Sequence, residues 1–230
     1  MLKSKYIRKS VAILIAVVML TSTLLATTAV ANQPKSAEQI AAETLFELGL
    51  FRGTRVDAYD NPVFDLQFPA NRMQGMVMLV RLLGVYDEAR ASTIRCPFDD
   101  AGTQYNGAIL GFAQNRGLTT GVTPNTFDPT GALTAAMYLT FVLRSLGYVA
   151  GEDFTWNAAW ELTDSLGITD GKFDAANNSM LRGDVALISL SALVQTYKGS
   201  NQTLVEALVE AGAVPENAPE RVAAALAAIG

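Results

Sequence analysis

Beyond residue 36, apolar side chains recur at spacings of three and four in eight stretches, separated by polar, glycine-punctuated segments. Ile40, Leu45, Phe46 and Leu48 mark the first stretch. The second, over 70–83, has Met73, Met76, Val77, Leu79, Val80, Leu82 and Leu83 apolar. Ile109, Leu110 and Phe112 mark the third, and 133–146 is the fourth. Trp156, Trp160, Leu162 and Leu166 build the fifth, and the sixth spans 181–197. Two short stretches follow at 204–211 and 218–229, with Pro215 and Pro219 breaking between them or starting the second. A period near 3.6 predicts amphipathic helices throughout, so the expected fold class is all-α. The alanine-rich last helix is either a docking element or a frayed end.

The stretches pair into three copies of one unit. In each copy the first stretch ends in Gly-aliphatic-x-x-Gly: Gly49-Leu50-Phe51-Arg52-Gly53, Gly117-Leu118-Thr119-Thr120-Gly121 and Gly167-Ile168-Thr169-Asp170-Gly171. Glycine takes the left-handed conformation that closes helices, so these positions predict helix ends. A Phe-Asp pair follows each time, at Phe64-Asp65, Phe127-Asp128 and Phe173-Asp174, before the second stretch begins. The segment from the second glycine to the phenylalanine shrinks from copy to copy while the helices keep their length. Constant helices with variable loops are the mark of a repeat array, and one helix pair cannot bury its own apolar face. The copies are therefore expected to share one core. They span 37–85, 97–148 and 152–199, with a polar linker over 86–96 and a C-terminal helical tail over 200–230.

The first 31 residues read differently. Lys3, Lys5, Arg8 and Lys9 precede an apolar run over 11–25, and Ala29-Val30-Ala31 offers a small-x-small cleavage site. This is the pattern of a secretory signal peptide over 1–31, the alternative being an uncleaved anchor. Its removal takes the formal charge from −5 to −9, with 13 Lys+Arg left against 22 Asp+Glu. An acidic chain is not built for nucleic acid, nor for anionic lipid once the signal is gone. Cys96 is the only cysteine and there is no histidine. That removes internal disulfides, histidine-dependent triads and histidine metal sites. No calcium loop appears, and no cofactor or metal is expected.

Taken together, the motifs resemble S-layer homology (SLH) domains, most clearly in copy 2, with Phe98-Asp99-Asp100, the Gly117–Gly121 box, Phe127-Asp128-Pro129 and Leu133-Thr134. The resemblance covers roughly residues 37 to 199. It implies a pseudo-threefold, spindle-like helical bundle. Its inter-lobe grooves would hold an acidic, pyruvylated secondary cell-wall polysaccharide and keep the secreted protein at the cell wall. The family's Thr-Arg-Ala-Glu box falls on Asn71-Arg72-Met73-Gln74, Thr134-Ala135-Ala136-Met137 and Leu181-Arg182-Gly183-Asp184. Two of three arginines remain, and a planar guanidinium suits a carboxylate ligand.

The candidate ligand residues are Arg72, Arg182, Asp184, Gly53, Gly121, Gly171, Trp156 and Trp160. Each has a plainer alternative. The arginines could serve structural ion pairs, the glycines turns, and the tryptophans the core. Asp65, Asp128 and Asp174 read as turn or capping residues. No catalytic residues are expected, since carboxylate pairs for glycoside hydrolysis need a defined separation that a sequence does not reveal. The alternative to glycan binding is a degenerate triplet acting as a structural module with an envelope protein partner.

Overall fold

A computed structural model describes residues 34–230; the expected signal segment, 1–31, lies outside the described residues. The elements run α1 (Ala37–Glu47), β1 (Arg55–Val56), β2 (Pro62–Val63), α2 (Arg72–Leu82), α3 (Tyr86–Ala91) and α4 (Gln104–Asn115). They continue with α5 (Ala135–Ser145), a 3-10 turn (Trp156–Ala158), α6 (Ala159–Ser165), α7 (Arg182–Leu193), α8 (Leu204–Glu210) and α9 (Ala218–Ile229). The fold is all-α. The longest inter-glycine loop, in copy 1, folds into the small antiparallel hairpin β1–β2. The segment 86–96, expected as a linker, contains α3, whose Ala89 is buried beneath the copy 1 and copy 2 helices.

The second helices of the three copies, α2, α5 and α7, touch one another pairwise and form the centre. Leu79, Leu82, Leu139, Leu143, Tyr138 and Met76 are wholly buried there. The Tyr138 and Ser189 hydroxyls meet at 2.8 Å, joining α5 to α7 across this core. The first helices form an outer set, offset by one copy. Of the central helices, α4 packs on α2, α6 on α5, and α1 on α7, and α4 also packs on α3. Each copy's first helix thus covers the second helix of the preceding copy, and copy 1 closes the ring on copy 3.

The same offset appears at the starts of the central helices. A helix leaves its first N–H groups without internal partners. Arg72 and Met73 of α2 donate theirs to the carbonyls of Gly131 and Pro129 in copy 2. Arg182 and Gly183 of α7 donate to Phe68 and Leu66 in copy 1. For α5, Ala135 donates to the Asn178 carbonyl of copy 3, and Ala136 to the Asn178 side-chain oxygen at 2.9 Å. Every central helix is capped by the loop of the following copy.

The first and fourth positions of the boxes close the same helix starts. Asn71 and Gln74 form a reciprocal pair, with backbone N–H to side-chain oxygen distances of 2.8 and 2.9 Å. Thr134 supplies one half in copy 2, accepting from Met137 N–H. Asp184 supplies the other half in copy 3, accepting from Leu181 N–H at 2.8 Å. The box is a capping device dispersed over three copies.

The tail is a docked element. Helix α9 lies on α1 and α7, burying Ala218, Val222 and Ala225, and Arg221 pairs with Glu47 of α1. Helix α8 packs on α7 through Leu204, Val205 and Leu208.

Candidate functional site

Both box arginines turn inward. Arg72 is 3% exposed, and its Nε donates to the Phe127 carbonyl of copy 2 at 2.7 Å. Its guanidinium carbon lies 4.7 Å from the centroid of the Phe127 ring. Arg182 is 7% exposed and repeats the contact one copy on, its Nε donating to the Phe64 carbonyl of copy 1 at 2.9 Å. Its Nη2 also reaches the Arg52 carbonyl at 3.2 Å, beside Gly53. These side chains bridge consecutive copies. Ala135 occupies the third equivalent position and makes no such bridge; at that helix start the Asn178 caps remain.

Arg72 still reaches a surface. It lines a groove of about 520 Å³, walled by three copies. Copy 2 supplies one wall through Thr119, Thr120, Gly121 and Val122, and another through Met137, Thr140, Phe141 and Arg144 of α5. The segment between copies 2 and 3 supplies the rim through Ala150 and Gly151, and copy 3 through Trp156. Gly121 sits at φ +75°, and a β-carbon there would lie 2.5 Å from the Thr123 carbonyl oxygen and 2.6 Å from the Phe98 ring. Only glycine allows this wall to stand where it does.

The charge in the groove is positive. Burial holds Arg72 below the usual arginine range, opposed by the charges of Asp128 and Asp100. Burial does the same to Arg144, without any charged group to oppose it. Arg144 meets a hydroxyl, Thr120 Oγ1, at 3.4 Å from its Nη2, and has no carboxylate within ion-pair distance among the described residues. Both remain cations at neutral pH. Asp100, behind this wall, accepts the N–H groups of Phe127 at 2.8 Å and Asp128 at 2.7 Å. Burial works against its ionisation, but these hydrogen bonds and Arg72 outweigh it and hold its carboxyl below the ordinary value. Asp100 thus positions the loop carrying the carbonyl that Arg72 grips.

Trp156 is 58% exposed, whereas Trp160 is 9% exposed and belongs to the α6 core face. The Thr140 hydroxyl donates to the Trp156 carbonyl at 3.3 Å, fixing the turn from which the indole projects. The groove therefore offers two guanidiniums, hydroxyls from Thr120 and Thr140, and an open indole face at its edge. Such a set grips a carboxylate and stacks on a sugar ring. No Asp or Glu lines it.

Of the residues expected from the sequence, Arg72, Gly121 and Trp156 meet in this groove. Arg182 and Gly53 lie together at the copy 3–copy 1 joint. Gly53 faces the hairpin, where a β-carbon would come within 2.8 Å of the Val63 carbonyl oxygen. Gly171 is exposed, its N–H given to Asp164 at 2.7 Å. Asp184 caps α7 and pairs with Lys172 at 2.6 Å. Arg144, Thr120 and Thr140 were missed, although Arg144 has a sequence signal: it stands nine residues after Ala135, as Arg81 stands nine after Arg72.

No protein-family model matches the chain, so the SLH resemblance rests on the motifs. The chain is 31% identical over 176 residues to a protein of Thermoanaerobacter kivui named "Cell surface protein". The alignment covers 74% of this chain and 22% of that relative's length. No helix among the described residues is long and apolar enough to cross a membrane.

Proposed function

We propose that this chain is a secreted cell-envelope protein that holds an acidic wall polysaccharide, without covalent attachment, in the groove of copy 2. The observation that carries this reading is the convergence of Arg72, Arg144 and the exposed Trp156 on one cleft without a lining carboxylate. A pyruvyl ketal would offer its carboxylate to the guanidiniums while its sugar ring lies on the indole. A surface location accords with the signal-like leader and with the name of the relative. The lack of a lining Asp or Glu favours binding over carboxylate-driven hydrolysis at this groove.

The test is sedimentation of the purified chain with cell-wall sacculi. Binding is expected, and stripping the wall polysaccharide should abolish it. Trp156→Ala and Arg144→Gln should each weaken it about tenfold, since both side chains leave the core undisturbed. Failure to sediment, indifference to stripping, or wild-type binding by both variants would overturn the reading.

A second reading applies to the joint between copies 3 and 1. There Arg182 is consumed by backbone carbonyls and stacks toward Phe51, 5.4 Å from its centroid. That side chain serves as a structural bridge between copies.

A further inference from the structure

A second basic site is built from copy 1, the 86–96 segment and the tail. Arg52, Arg81 and Arg90 line one open pocket of about 370 Å³, with Tyr86 in its wall and Gly84 and Ala213 at its edge. None of these residues borders the copy 2 groove. Arg81 lies with its guanidinium carbon 3.4 Å from the Tyr86 ring centroid, a stacked arrangement that fixes its plane. The Tyr86 hydroxyl is 3.3 Å from that of Tyr105. Two hydroxyls sharing one hydrogen bond leave one O–H free to donate.

The pocket's charges do not balance. Its one lining carboxylate, Asp87, stands 3.9 Å from Arg90, and both side chains are largely exposed. An exposed pair of that kind holds its partners loosely. Arg52 has no carboxylate within ion-pair distance among the described residues. Burial pushes Arg81 below the usual arginine range, and the neighbouring charge of Arg52 adds to that push, against Tyr86, Tyr105 and Asp87, which oppose it. Three guanidiniums against one carboxylate leave a formal surplus of two positive charges, in a chain whose own net charge is −5. Like charges gathered in one open pocket repel one another until an anion is bound.

We propose that this pocket binds a phosphomonoester dianion. A phosphoryl group carries about −1.5 to −2 charge at neutral pH and presents three strong acceptor oxygens. It therefore matches the surplus charge and gives each guanidinium an oxygen to grip. A lone carboxylate brings one charge and two oxygens, leaving one arginine and one positive charge uncompensated. The proposal is independent of the copy 2 groove, because the two sites share no lining residue.

Calorimetric titration of the full chain tests it, with inorganic phosphate, N-acetylglucosamine 6-phosphate, acetate and pyruvate as probes. Both phosphates should bind at least about tenfold more tightly than either monocarboxylate. The double variant Arg52→Gln/Arg90→Gln should lose about tenfold or more in phosphate affinity, while Arg116→Gln, at a pair with Glu88 elsewhere, should not. Arg52 and Arg90 are exposed, so the double variant is expected to keep the wild-type circular dichroism spectrum and unfolding midpoint. Tighter binding of the sugar phosphate assigns a phosphorylated sugar as the ligand, and equal binding assigns the bare phosphoryl group. Absence of binding by both phosphates, equal affinity for acetate, or unchanged affinity in a folded double variant would overturn the proposal.

Discussion

Arg72 does two things at once, and the distinction decides how it can be tested. Its Nε is committed to the Phe127 carbonyl, so removing the side chain takes that donor away from a carbonyl inside the protein. Arg72→Ala should cost about 1.5–3 kcal/mol in stability, read from the urea unfolding midpoint, and Arg72→Lys should recover only part of it. An unchanged midpoint would mean that the bridge between copies is energetically idle. Loss of wall binding in Arg72→Ala would therefore say little about the ligand. Arg144 and Trp156 are the cleaner probes, because neither ties one copy to the next. The sequence could not separate these roles. The acceptor of Arg72 is a backbone carbonyl 55 residues away, and a carbonyl carries no residue identity to be read. Arg144 was in principle visible through its register with Arg81, but it lies at the far end of the helix from the box on which the SLH resemblance rests.

At the scale of elements, the helix-ending glycines, the helix starts and the two tail helices were legible, because capping and amphipathic spacing are local properties. Helix α3 was not, since YDEARA is polar and buries only Ala89. The groove was illegible for another reason: its walls come from three copies, and no local pattern encodes their meeting. The start of α5 keeps the loop cap that α2 and α7 have, but without an arginine bridge beside it. Asn178 of copy 3 receives both of its first N–H groups, one on its backbone and one on its side chain. Asn178→Ala should strand the Ala136 N–H and destabilise the chain by about 1–2 kcal/mol, while Asn178→Asp keeps an acceptor and should lose less. Thermal unfolding followed by circular dichroism would measure both, and an alanine variant as stable as wild type would refute this account of the α5 start.

For the whole molecule, the tail is part of the packing. Leu204, Val205, Leu208 and Val222 are buried against the ring, and fully burying such a side chain contributes about 1.5–3 kcal/mol. Ending the chain after residue 200 should therefore remove a large share of a stability that totals about 5–15 kcal/mol in ordinary domains. The truncated chain should show an unfolding midpoint well below that of the full chain, and an unaltered midpoint would mean that α8 and α9 dock without consequence. In the full chain, tryptophan fluorescence and far-ultraviolet circular dichroism should report one coincident transition, because every helix leans on a neighbouring copy.

The displacement of the outer helices by one copy has a consequence for heredity. Covalent order and contact order disagree, so no copy can be excised with its contacts intact. Deleting 97–148 would strip α4 from α2 and leave α6 without α5, damaging both neighbours with one cut. Gain or loss of a single copy by recombination thus breaks the closed set, whereas transfer of the whole triplet preserves it. Within the triplet each copy is fitted to the particular neighbour it touches, as the Asn178 side chain of copy 3 is to the start of α5.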